Sequence, residues 1–150
     1  MKAKRFMTPQ EMFALTSGKL VMEWRRFHCT ENFKWGELFV HRTVAQVKTV
    51  TLEVLINLHK MAMKMEEVRK FLGSKAINIT SGWRDLASNT AAGGARKSTH
   101  ITGKGIDFTV AGLHPRQVQA KLEKWWVGGL GYGLTFTHLD DRGHNARFNY

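Results

Sequence analysis

A chain of 150 residues with 43% hydrophobic side chains is long enough to bury one packed core, and it carries no internal repeat or low-complexity tract. Its formal net charge of +11 points to a polyanionic surface such as an anionic cell envelope. The basic residues are scattered and form no recognition motif, so nucleic acid is not an expected partner. The single cysteine, Cys29, excludes an internal disulfide and a four-cysteine metal site, and reads as a small semi-buried hydrophobe.

The N-terminus begins with a basic run, but Thr8, Pro9, Gln10 and Glu11 interrupt any apolar stretch, so no signal peptide is expected. No run approaches the ~18 apolar residues that span a bilayer. Synthesis in the cytoplasm is the expectation, with any action on a cell wall following release or delivery by a virion. Thr8 caps a predicted helix, with Pro9 at its first position and Glu11 completing a capping box. The segment "ENFKWGELF" is expected to pack as a loop onto the core. Over residues 43–72, Val44, Val47, Val50, Val54, Leu58, Met61, Met65, Val68 and Leu72 recur at helical spacing and predict one long core helix, closed by Gly73. Met61, Met63 and Met65 read as core filler within it.

"KAINIT" alternates apolar and polar residues and predicts a strand over 75–80. The polar, Gly-rich stretch that follows, to Ser98, reads as a long functional loop. "IDFTV" (106–110) predicts a second strand, and Pro115 opens a helix through Trp126 with Val118, Leu122 and Trp125 on one face. "GGLGYG" (128–133) reads as a turn, "LTFTHLD" (134–140) as a third strand, and "RGHNARFNY" as a basic, aromatic tail. The expected class is α+β, a small antiparallel sheet with a long core helix. One domain is expected, mainly helical over 1–74 and carrying the sheet and site over 75–150.

His100 and Asp107 flank a Gly-rich turn, and Asp107 falls inside a predicted strand, where a carboxylate needs a partner. His138 lies in the last predicted strand, with Phe136 and Asp140 on its face by the period of two. Two histidines and one carboxylate suit Zn²⁺ and leave a fourth position open, as catalytic zinc requires. His28, His41, His59, His114 and His144 read as surface or hydrogen-bonded histidines.

The flanking residues narrow the choice. Ser81-Gly82-Trp83-Arg84, Asn89 with Gly93-Gly94, Ser98-Thr99-His100 with Gly103 and Asp107, Gly128-Gly129-Leu130-Gly131-Tyr132 and Thr137-His138-Leu139-Asp140 appear in that order. This set resembles the zinc D-Ala-D-Ala carboxypeptidases and related phage endolysin peptidases, which share the hedgehog-type fold. The resemblance covers residues 77–148. It implies that His100, Asp107 and His138 bind zinc, that Arg84 pairs with a substrate carboxylate or carbonyl, and that Ser98 hydrogen-bonds the substrate. It also implies hydrolysis of the peptide stems of bacterial peptidoglycan, at a D-Ala-D-Ala or an L-Ala-D-Glu bond. The bland alternatives are an ion pair from Arg84 to Asp85 or Glu37, and a turn-capping role for Ser98.

Two positions depart from the family pattern. Gly105 replaces the usual Ala before the aspartate, which preserves close approach. No acid or histidine precedes the last ligand to act as general base. Asp140 is the expected substitute, with Asp141 and His144 behind it; the alternative for Asp140 is to hold His138 or Arg142. Without a base, a zinc-stabilised wall- or protein-binding module would remain. The pair His138-Leu139-Asp140 also mimics the H-x-D element of non-haem iron oxygenases, but the strands such a fold needs are missing. A monomer is expected.

Overall fold

The Thr8 capping box forms as the sequence predicts. The Thr8 hydroxyl accepts from the Glu11 amide, the Glu11 carboxylate accepts from the Thr8 amide, and α1 runs Pro9–Ser17. The computed structural model describes residues 3–18 and 22–150; the start of the basic N-terminal run (1–2) and residues 19–21 lie outside the described residues. A short 3-10 helix follows at Met22–Arg26. Next come β1 (His28–Thr30), β2 (Phe33–Lys34) and the single-turn α2 (Trp35–Leu38). "ENFKWGELF" is therefore not a loop: Trp35 and Leu38 are fully buried, and Glu37 closes the first turn by accepting from the Lys34 amide. Cys29 is buried, and burial pushes its thiol well above the usual range.

The helix expected over 43–72 is divided. Thr43 caps α3 (Val44–Val47) and Thr51 caps α4 (Leu52–Phe71), each accepting from a backbone amide three residues on. The apolar period misses this break because Val47 and Val50, both buried, keep helical spacing across it. Leu55, Leu58, Met61, Ala62, Met65 and Val68 form the buried stripe of α4. Met63 does not belong to it and is 53% exposed. Gly73, at φ 89°, ends the helical segment. Among the described residues, no helix is long and apolar enough to cross a membrane.

The remaining elements are β3 (Ile77–Ser81), α5 (Leu86–Ala91), α6 (Thr99–Thr102), β4 (Gly105–Val110), α7 (Pro115–Leu122), β5 (Gly129–Tyr132), β6 (Thr137–Asp140) and β7 (Ala146–Asn149). The α7 helix stops at Leu122, four residues short of Trp126, and Trp125 is 39% exposed. The residues read as a turn, Gly129–Tyr132, form a central strand instead, and the aromatic tail supplies β7. The five-stranded sheet has the order β3-β4-β6-β5-β7, antiparallel except for the parallel pair β5–β7. With the small β1–β2 pair, this is an α+β fold.

Alternation divides the sheet into two faces. Ile79, Ile106, Phe108, Leu130 and Leu139 are buried and join α1, α4 and α7 in one apolar cluster. Asp107, His138 and Asp140 fall on the opposite face. Pairing aligns Ser81, Asp107, His138, Gly131 and Phe148 across five strands, and beside them Gly105, Asp140, Gly129 and Ala146. Register alone therefore sets the two carboxylates and one histidine side by side.

Candidate metal centre and its cleft

His100 reaches this face from a single helical turn. Ser98 caps α6, its hydroxyl accepting from the His100 amide at 3.2 Å, and Gly103 ends the turn at φ 80°. The turn is tied to the loop before it: the Arg84 amide donates to the His100 carbonyl, and the Trp83 indole donates to the Ile101 carbonyl at 3.0 Å. Gly82 passes so close to the Leu38 backbone that any Cβ there would overlap the Leu38 carbonyl. That close approach holds the Gly82 carbonyl where His100 can reach it.

His100, Asp107 and His138 are all buried, and one ligand atom from each lies within 4.8 Å of the other two. Their hydrogen bonds decide the tautomers. His100 Nδ1 lies 2.8 Å from the Gly82 carbonyl oxygen, and His138 Nε2 lies 2.7 Å from an Asp140 carboxylate oxygen. Both partners only accept, so each ring turns its N–H outward to them. The other nitrogens, His100 Nε2 and His138 Nδ1, then present lone pairs to Asp107 Oδ1 at 3.2 and 2.8 Å. Three lone-pair donors converge, with an acceptor fixing each imidazole from behind, which is the arrangement of a divalent-cation site. Protonating a ring is the way to satisfy the cluster without a cation. Accordingly, burial works to lower His138, but bonds from Asp107 and Asp140 outweigh it and raise its pKa. Burial raises Asp107, but the two imidazoles overcome it and hold the carboxyl at about 2.

Asp140 does not face the cleft. Its side chain is fully buried, and each oxygen is used twice: Oδ1 accepts from the Gly129 amide and Arg142 Nε, Oδ2 from Arg142 Nη2 and His138 Nε2. Burial alone would raise this carboxyl; Arg142 and His138 hold it well below the usual carboxylate range. Of the two readings of Asp140, general base or holder of His138 and Arg142, these hydrogen bonds favour the second, because all its acceptor capacity is committed to orienting those two side chains. The H-x-D pairing fails for the same reason, since Asp140 binds the outward nitrogen of His138. Asp141 turns to the other side and pairs with Lys64 of α4 at 2.8 Å.

The glycines of the motif now have a physical reason. Gly105 and Gly129 flank Asp140 on both neighbouring strands. A Cβ at Gly129 would overlap the Asp140 carboxylate, and one at Gly131 would press on Phe148, Tyr150 and His138. Glycine at these positions leaves room on that face for the buried Asp140 carboxylate and the aromatic rings beside His138.

Above the cluster opens a cleft of about 510 Å³. Arg84, expected to pair with Asp85 or Glu37 if not with substrate, instead lies 3.7 Å from Asp107 Oδ2 and donates to the Ser81 hydroxyl at 3.1 Å. Buried Asn89 supports the loop by donating to the Ala95 carbonyl at 2.8 Å, and its oxygen lies 3.5 Å from Arg84 Nη1. Arg84 and Ser98 both line the cleft, although the Ser98 hydroxyl also serves as the α6 cap. Sequence reasoning named Arg142 and His144 but missed the aromatic part of the opposite wall, Phe148 and Tyr150. All four line that wall, and the Phe148 and Tyr150 rings lie 5.6 and 5.9 Å from the His138 ring. The alternation in "ARFNY" was the available signal for a strand there.

The fold and site thus define a two-histidine, one-carboxylate centre at the floor of an open cleft, the layout of a metal-assisted hydrolase. The chain belongs to the peptidase M15 family, whose profile matches residues 31–140. It is also 36% identical over 76 residues to a protein of Haemophilus influenzae named probable peptidoglycan L,D-endopeptidase MepK. That match covers 46% of this chain and 41% of the relative, so the chain spans about two-fifths of that protein's length.

Proposed function

We propose that this protein is a zinc-dependent peptidase acting on the peptide stems of bacterial peptidoglycan. One observation carries the metal part of the reading. His100 Nε2, His138 Nδ1 and Asp107 Oδ1 point lone pairs at one another, while the outer nitrogens are held by Gly82 and Asp140. Two neutral imidazoles and a carboxylate match the donor set of catalytic zinc, with one position left for water or substrate. When bound, the cation supplies Lewis acidity and lowers the pKa of a water toward ~7. Family membership supports peptide hydrolysis, and the name of the Haemophilus influenzae relative supports peptidoglycan and an endopeptidase.

The chain's own residues divide the remaining work. Arg84, beside Asp107 and open to the cleft, is suited to receive the carbonyl oxygen of the scissile peptide as negative charge develops on it. Ser98 offers its hydroxyl on the same wall. Asp140 and the Gly82 carbonyl hold the two rings against rotation, so the site is organised before substrate arrives. The net charge of +11 favours approach to an anionic wall.

The test is digestion of purified peptidoglycan by metal-loaded protein, with His138→Ala as control. New amino groups are expected from the wild type alone. No release by a wild type that binds its metal stoichiometrically would refute the hydrolase and leave a zinc-stabilised wall-binding module.

A further inference from the structure

Peptide hydrolysis needs a group that takes a proton from water and returns it to the leaving amine. Neither acid next to the last histidine of the centre can do this. Asp140 is fully buried with both oxygens occupied, and Asp141 faces α4 in an ion pair with Lys64. The groups around the cleft are Arg84, Lys97, Arg142, His144 and Tyr150, with His100 and His138 on its floor. The guanidinium and ammonium groups have no lone pair to offer, and a phenol stays protonated near neutrality. The two floor imidazoles are committed to the centre. That leaves His144, which lines the cleft and whose imidazole can both accept and return a proton.

We propose that His144 is the general base and acid of this hydrolase, a reading that rests on the peptidase function above. The turn that carries it is pinned on both sides. Arg142 is clamped to Asp140 at 2.8 and 2.7 Å, and the Asn145 side-chain oxygen accepts from the Gly128 amide at 3.0 Å. Gly143 between them takes φ 90°, a conformation glycine adopts without strain. Among the described residues the His144 ring has no hydrogen-bond partner, so a lone pair is free to accept. As the water oxygen bonds to the peptide carbonyl carbon, its proton passes to the imidazole, and the carbonyl π electrons move onto oxygen. When the carbonyl re-forms and the C–N bond breaks, the imidazolium gives that proton to the departing nitrogen. Water is consumed, and a carboxylic acid and an amine result.

The position is unusual by sequence, since it follows the last histidine of the centre by six residues instead of preceding it. The fold permits this because the turn between β6 and β7 lines the cleft through Arg142 and His144, and β7 then pairs with β5.

The test compares wild type, His144→Gln and Asp141→Asn, all metal-loaded, on a soluble stem peptide. Removing a general base is expected to lower kcat about 100-fold or more. KM and metal content should stay unchanged, the acidic limb of the kcat profile should disappear, and added imidazole should restore part of the rate. Asp141→Asn should behave as wild type. Unchanged kcat in His144→Gln, a loss seen only in KM, or a loss of bound metal would each overturn the proposal while leaving the hydrolase reading intact. A metal-loaded wild type that cleaves nothing would remove both.

Discussion

Replacing Asp140 by Asn changes one atom and removes one charge at the most constrained point of the site. The carboxylate accepts four hydrogen bonds, two on each oxygen. An amide has one accepting oxygen, so whichever way the substituted side chain turns, its NH2 group meets two donors and two bonds are lost. Hydrogen bonds to charged groups are worth about 1.5–3 kcal/mol each. The Arg142 side chain, 30% exposed, recovers part of its loss from water, so the lower value applies and the total is about 3 kcal/mol. For a chain of this length each kcal/mol moves Tm by about 2–4 °C, so chelated protein should melt about 6–12 °C lower. His138 also loses the acceptor that fixes its tautomer, and such losses weaken metal binding about 10–100-fold. Thermal melting followed by circular dichroism and metal titration calorimetry read the two effects separately. An Asp140→Asn variant whose melting curve overlays that of wild type and which binds zinc equally well would refute the orienting role argued for Asp140.

Chelation of the wild type should lower Tm and Zn²⁺ should restore it, because cation binding is coupled to folding; an unchanged melting curve would count against a bound metal. The metal-free protein should also lose stability on the alkaline side. His138 has a raised pKa in the folded state, so its contribution is complete below the unfolded value of about 6.5 and fades as pH rises through the folded one. Asp107 and Asp140 act in the opposite sense: their contributions are present above about 3.9 and vanish as pH falls through about 2 and lower. Melting at about pH 6 and about pH 8.5 should therefore diverge between chelated and zinc-loaded protein, and parallel curves would contradict this. In the core, Met65→Ala should cost about 2–5 kcal/mol by urea unfolding, whereas Met63→Ala should be near neutral. Equal losses would show that the buried stripe of α4 is misassigned.

The sequence by itself determined much of the local structure. Thr8-Pro9-Gln10-Glu11 spells a helix start in adjacent residues, and α1 begins there. The strand of 75–80 followed from alternation and that of 106–110 from its β-prone residues, and the apolar period marked Leu58, Met61, Met65 and Val68 of the buried α4 stripe while taking half-buried Val54 for it and passing over Leu55 and Ala62. Motif order also singled out His100, Asp107 and His138, which the fold gathers within 4.8 Å. These features were legible because caps, periods and motifs act over a few residues.

Only the tertiary structure decided the rest. Gly129–Tyr132 reads locally as a turn, yet it is a central strand, because the packing of Asp140, Phe148 and Tyr150 demands the absence of a side chain at Gly129 and Gly131. For Asp140 the sequence left two roles open, general base or holding His138 or Arg142, and cross-strand packing with the Arg142 clamp favours the second. The wall bearing His144 depends on β7 pairing with β5, which lies on the far side of β6 in the chain. Hydrogen-bond partners and cleft walls are set by cross-strand register, and register is a property of distant segments meeting, which no local pattern encodes.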